Sequence, residues 1–424
     1  VYLVEANMEN TQRHHRGGRW LPADHKVLEA WLADLIEEVT ARPQPLHPIV
    51  EDFRTLIETD PAAYMLFHQM FEEVPKKPPY NNDPSGVPQV RDYQMMLKLF
   101  NAIMTRAPEY NRTGVVGFPI NAILDWPMGT GAGFAAFLNE KINAQFRRML
   151  GEWARFLKSA DSCAVLDKDP HKGWFGSDAM HDMPDFDGDF MCDPGAPHHG
   201  YTSWDDFFTR RFRPGVRPVA SPDDDSVIAN ACEAAPYRIA QGVKALDRFW
   251  VKGQLYSLEH MLASDPLAPQ FDGGTVYQAF LSALSYHRWH SPVSGTIVKA
   301  YVQPGTYYSE TPAEGFDPAG PNNSQGYITE VAARALIFIE ADNPAIGLMC
   351  VMPVGMAEVS TCDMTVYEGQ HVAKGDQLGM FHFGGSTHCL IFRPGVKLTF
   401  DMHGQTPGLD SSNIPVRSRL ATVG

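Results

Sequence analysis

The sequence predicts an α+β protein: a helical domain over residues 1–160, a connection over 161–202, and a β-rich barrel or sandwich domain with a doubled β motif over 203–424. Three observations carry this expectation. Apolar residues in the first stretch recur at helical spacing, and those beyond about residue 225 come in short runs broken by Gly and Pro. The segment between shows little periodicity.

In "DHKVLEAWLADLIEEV", residues Leu28, Trp31, Leu32, Leu35, Ile36 and Val39 share one helical face. "IVEDFRTLIE" repeats the pattern, and "TDPAAYMLFHQMFEEV" has Asp60 as its expected N-cap with Pro61 in the first helical position. "DYQMMLKLFNAIM" and "AGFAAFLNEKINAQFRRMLGEWARFL" are two more amphipathic stretches, whose aromatic and Met stripes read as core. Residues 161–202 are rich in Asp, Gly, Pro and His and read as a long connection, after which "TSWDDFFTRRF" adds a short helix. In the β half, "SPVSGTIVKAYVQPGT" and "TVYEGQHVAKGDQLGMF" share a plan of strand, Gly turn and strand, which is the doubled motif.

The 424 residues are 44% apolar, enough for sizeable cores, and carry a net charge of -15. That balance argues against a nucleic-acid or anionic-membrane surface, since both require a basic face. No apolar run reaches the roughly 18 residues that a bilayer span needs. The stretch "VYLVEANMENTQRHHRGGRW" has charges where a signal peptide needs an apolar segment. The six cysteines form no C-x-x-C, and Cys232, Cys350, Cys362 and Cys389 lie in apolar surroundings. Reduced, buried thiols in a soluble cytoplasmic protein are the expectation.

Several motifs fail on inspection. "GTGAGF" (129–134) lacks the G-x-G-x-x-G spacing and reads as a helix start. "DFDGDF" opens like a calcium loop, but Ala196 stands where the closing Glu belongs. His171, His181, His198 and His199 match no ligand spacing, so no metal is expected. Lys172 in "DPHKGW" stands as a pyridoxal-phosphate lysine would, yet a helix and a loop precede it instead of the required parallel sheet. No pyridoxal phosphate is expected.

The candidates that remain lie in the β half. "YHRWHSP" sets His287 and His290 three apart. "MFHFGGSTHCLIF" (380–392) is a strand interrupted by Gly384 and Gly385 directly before Ser386. Glycine inside a strand marks a bulge, a bend or a close backbone approach. Ser386 is not a G-x-S-x-G nucleophile, because His388 takes the final glycine place. A neutral hydroxyl there needs a base within reach.

"SWDDFFTRRFRPGVRPV", "YHRWHSPVSGTIVK" and "EGQHVAKGDQLGMFHFGGST", in that order over roughly 203–424, resemble the phosphatidylserine decarboxylase family of pyruvoyl enzymes. With "VKGQLYSLEHML", "DPLAPQF" and "IFIEADNPAIGL", the chain resembles a soluble branch that includes fungal tryptophan decarboxylases. The resemblance implies that Ser386 Oγ attacks the Gly385 carbonyl and the chain then breaks. The products are a β-chain of 1–385 and an α-chain of 386–424 that starts with a pyruvoyl group. It implies His290 as the base for that step, oriented by a carboxylate. Family members carry the acid in an A-D-G-like turn, whereas "IANACEAAPY" stands here, so Glu233 is the expected acid and Asp225 the fallback. His287 is the candidate proton donor to the decarboxylated product. Gly384 lets the backbone bend, and His382 has a supporting or a packing role.

The implied activity is decarboxylation of a free, aromatic, tryptophan-like amino acid. A phosphatidylserine decarboxylase is the alternative, against which the acidic charge and missing anchor count. A biotin or lipoyl carrier, or a zinc hydrolase, is a further alternative. Lys299 and Lys374 are poorly placed as carrier lysines, and the two histidines alone make no zinc site.

Overall fold

The computed structural model describes residues 25–74, 90–110, 118–247, 256–282, 284–310, 324–358 and 360–424, with the backbone alone for 25–29, 385 and 386. The charged stretch 1–20 lies outside them. The helical half runs through helices His25–Ala41, Pro48–Thr59, Pro61–Glu73, Tyr93–Ile103, Pro119–Met128, Gly131–Leu138 and Glu140–Leu157. Asp60 caps the third as expected, accepting from the Ala62 and Ala63 amides with Pro61 behind it. "GTGAGF" is a helix start: Thr130 Oγ1 accepts from Gly133 N at 2.9 Å. Gly133 must stay bare, because a Cβ there would fall 1.8 Å from the Pro127 carbonyl oxygen. No described helix is long and apolar enough to cross a membrane.

The connection is drawn into the same core. Trp174, Phe175, Phe186 and Tyr201 pack with the helices, and Trp174 Nε1 donates to Pro108 O at 2.7 Å. Lys172 stands on the surface, its Nζ 3.5 Å from Glu109. His171 pairs with Asp178, His198 bonds the Leu166 carbonyl, and His199 stacks on Phe175. Among the described residues no three metal-ligating side chains converge.

Thirteen strands follow among the described residues: β1 Val227–Ala229, β2 Ala235–Val243, β3 Gly274–Leu281, β4 Arg288–His290, β5 Gly295–Gln303, β6 Arg334–Ala341 and β7 Leu348–Met356. The series continues with β8 Cys362–Met364, β9 His371–Val372, β10 Gln377–Phe381, β11 Gly385–Phe392, β12 Leu398–Phe400 and β13 Arg419–Val423. The α+β expectation holds, but the barrel does not. The large sheet has the order β2-β3-β11-β7-β6-β5-β9, and its end strands do not pair, so it stays open. Two three-stranded sheets, β1-β13-β12 and β4-β10-β8, accompany it.

Side chains of β11 alternate between two cores. Cys389 and Ile391 join the core shared with the helices, whereas Leu390 and Phe392 join a second core with Trp289, Phe381 and Leu420 of the small sheets. A sheet covered on both faces explains why β7 is buried along its whole length. The doubled motif does not become two matching hairpins. β5 pairs with β6 and β9 inside the large sheet, while β10 leaves for the sheet of β4 and β8.

Candidate active site

The interrupted strand is the point where the chain passes between two sheets. β10 ends at Phe381 in the small sheet, and β11 begins at Gly385 in the middle of the large one. His382, Phe383 and Gly384 make the crossing. Gly384 has φ +144, and a Cβ on it would lie 2.8 Å from Ser360 Oγ and 2.9 Å from Ser360 N. Only glycine meets both demands. Directly after the crossing the backbone is clamped from both sides: Ser386 pairs with Leu281 of β3 and Gly355 of β7, and Gly385 pairs with Met356.

A second crossing runs beside the first. Ser282 and residues 284–287 lie between Leu281, opposite Ser386, and β4, opposite β10. Arg210 braces it from below by donating to the carbonyls of Leu284 and Ser285. His287 ends this crossing. Its carbonyl accepts the Phe381 amide at 2.9 Å, and its ring stacks on Phe208 at 3.9 Å, whose own ring meets Phe383 edge-on. The His287 ring is wholly buried, and neither nitrogen has a hydrogen-bond partner among the described residues. Burial first, then the Arg210 charge, hold its pKa well below the ordinary histidine value. It is a neutral imidazole, faced by the Ser282 and Ser285 carbonyls.

His382 is engaged on both sides. Nδ1 faces Asp205 at 2.8 Å and Nε2 faces Asp363 at 3.2 Å, which ties the crossing to helix Trp204–Phe208 and to β8. Its surroundings give it a packing and positioning role.

His290 and Glu233, the expected base and acid, bond to different partners. His290 Nε2 meets the Tyr286 hydroxyl at 2.9 Å, and Nδ1 lies 2.9 Å from Gly375 O and 3.1 Å from Arg417 Nη2. Burial and the Arg417 cation push its pKa down to about 3. Glu233 accepts from Arg217 Nη2 at 2.9 Å and from Val416 N at 2.8 Å. No hydrogen bond joins Glu233 to His290 among the described residues. The two act on neighbouring residues instead, Glu233 holding the Val416 amide and His290 meeting Arg417. The added methylene and the competing Arg217 account for the difference: an arginine fork within reach captures a carboxylate. The fallback acid, Asp225, is exposed on a turn near Lys374. Lys374 itself is buried against the carbonyls of Asp224 and Val227, and Lys299 pairs with Asp265, so neither presents a carrier lysine.

One group at the crossing escaped the sequence reading. Glu358, in the turn between β7 and β8, is wholly buried two residues from the partner of Gly385. "MAEVST" has no motif that singles it out, and only the register of β7 on β11 brings it here.

Phosphatidylserine decarboxylase models match this chain over residues 47–183 and again over 204–407. The chain belongs to the phosphatidylserine decarboxylase family. It is a decarboxylase, a carbon–carbon lyase of that family, in which a pyruvoyl group is the working cofactor. L-tryptophan decarboxylase of Psilocybe cubensis is 39% identical over 408 residues, covering 90% of each chain. That of Psilocybe cyanescens is 41% identical, covering 88% of each. Decarboxylase iboD of Amanita muscaria is 45% identical over 302 residues, 67% of this chain and 86% of its own.

Proposed function

We propose that this decarboxylase acts on a free L-amino acid with an aromatic side chain, tryptophan or a close analogue, after cutting itself between Gly385 and Ser386. The observation that carries the substrate class is the extent of the likeness. It runs through both halves of the L-tryptophan decarboxylases at 90% coverage, helices included.

Two features support a group formed at Ser386: the bare cradle at Gly384, which any Cβ would fill, and the neutral His287 ring stacked on Phe208, which in turn meets Phe383. A pyruvoyl group there supplies a carbonyl that takes the substrate amine and draws off the electron pair released with CO2. The chain's own residues do the rest. In this reading the neutral His287 takes the Ser386 hydroxyl proton as Oγ attacks the Gly385 carbonyl. The amide becomes an ester as the freed Ser386 nitrogen takes that proton. Loss of the Ser386 α-proton then expels the 1–385 carboxylate and leaves a dehydroalanine at 386, whose nitrogen water replaces, releasing ammonia and leaving the pyruvoyl ketone. His290 and Glu233 hold the segment Val416–Arg417 and the Tyr286 hydroxyl, and so position this base from behind.

Amine release from a panel of free amino acids, set against phosphatidylserine, tests the reading. Tryptophan turnover with an inert lipid is expected. Lipid turnover without amino-acid turnover would overturn it.

A further inference from the structure

Reprotonation needs an acid, and His287 is the wrong kind of acid once its surroundings are known. A neutral imidazole gives up a proton far less readily than an imidazolium. The turn between β7 and β8 holds a better one.

Four observations bear on Glu358. Its position is fixed by the scissile strand: Met356 pairs with Gly385, and Ser360 N donates to Phe383 O at 2.7 Å, so Ala357, Glu358 and Ser360 lie on the crossing. The turn is strained, with Ala357, Glu358 and Ser360 at φ of 51, 31 and 41. Such backbone persists where its surroundings over-determine it and clusters at working sites. One carboxyl oxygen, Oε1, accepts the Asn121 amide at 2.9 Å at the start of helix Pro119–Met128, and Phe118 before it stacks on Phe383. The other oxygen, Oε2, is buried with no hydrogen-bond partner among the described residues, as are both polar atoms of the Asn121 side chain.

No cation pairs with Glu358 among the described residues. The Ile120 and Asn121 amides and the Tyr308 hydroxyl are the polar groups that face it. A carboxyl so buried and so poorly compensated stays protonated, because the charged form loses its hydration with little in return. Burial pushes its pKa up to about 8 against the pull of those three groups. With Oε1 accepting the Asn121 amide, the proton belongs on Oε2, which has no partner within hydrogen-bond distance among the described residues.

We infer that Glu358 is the general acid that protonates the substrate Cα after CO2 has left. The inference rests on the decarboxylase reading above. The Cα–carboxylate bond breaks, CO2 departs, and the electron pair, drawn into the carbonyl-derived group, returns to Cα as it is protonated. Oε2–H then breaks as Cα–H forms, leaving a Glu358 carboxylate. The ammonium group of the next amino acid, which must shed a proton before it can react, restores the acid.

The test is Glu358→Gln, which keeps the shape and the Oε1 acceptor but cannot donate an acidic proton. Self-cleavage on a denaturing gel is expected to go to completion. The kcat for tryptophan is expected to fall about 10²- to 10³-fold with KM within a few-fold. The wild-type loss of kcat as pH rises through about 8 should vanish in this variant, and Glu358→Asp should restore both rate and pH limb in part. If Glu358→Gln does not accumulate, the Asp variant decides alone, since its alkaline limb must move with the new carboxyl. A blocked self-cleavage would assign Glu358 to maturation instead. An unchanged kcat, or a rise in KM alone, would also overturn the inference. A wild-type enzyme inert toward every amino acid would sink the substrate reading instead, a different failure from these.

Discussion

Two polar clusters, one within the β half and one between it and helix Pro119–Met128, differ in how their atoms are satisfied. Around Glu233 and His290, charges and ring nitrogens find partners: Arg217, the Val416 amide, Tyr286, Gly375 and Arg417. Around Gly384, the His287 nitrogens, Glu358 Oε2 and the Asn121 side chain are buried without partners among the described residues. A buried polar atom left unpaired costs about 1–3 kcal/mol, so a fold tolerates several together only where something else uses them. We read the satisfied cluster as scaffold and the unsatisfied one as the place proposed for the chemistry.

The sharpest way to break this contrast is Ser386→Ala. The variant is expected to stay one chain and release no amine, and any residual cutting at this bond would remove Ser386 from the account. Next comes His287→Asn, which should slow self-cleavage by about 10²- to 10⁴-fold while the protein stays folded by circular dichroism. Normal cutting in this variant, with cutting lost in His290→Asn, would return the base role to His290.

Gly384→Ala places a methyl group against Ser360 at a φ of +144. A loss of about 2 kcal/mol in urea unfolding is expected, with incomplete cutting. Glu233→Gln weakens the Arg217 pair and should cost about 1–2 kcal/mol while self-cleavage still completes. Abolished cleavage there would make Glu233 part of the machinery.

The smallest effect is a pH profile of stability. His290 and His388, pushed down by burial to about 3 and about 4, and His287, also lowered, bind protons more readily when unfolded. Their contribution is complete above the unfolded value of 6.5 and is lost as pH falls. Glu330 and Glu358, raised to about 8 by burial, act oppositely: the unfolded chain ionises near 4.5, so their contribution is lost as pH rises toward 8. Urea midpoints should therefore peak at roughly pH 6 to 7 and decline on both sides.

Much of the fold was legible because its signals are local. Helical periodicity, the Asp60 cap with Pro61, and the glycines before Ser386 each act within a few residues of themselves. The segment proposed for cleavage drew notice for the same reason, since Gly-Gly inside an apolar run is conspicuous. Sheet closure was not, because strand order depends on pairings as distant as β3 with β11. Nor was the fate of Glu233, which was decided by Arg217 and by an amide at residue 416. Glu358 was invisible for a related reason: a lone Glu between apolar residues reads as solvent-facing until a register buries it.

The central claim is that the bond before Ser386 is the first one this protein cuts. Intact mass of the purified wild-type chain under denaturing conditions tests it directly. Two chains, 1–385 and 386–424, with a carbonyl in place of the amine at the start of the shorter one, are expected. An uncut single chain that decarboxylates amino acids at full rate would contradict the account.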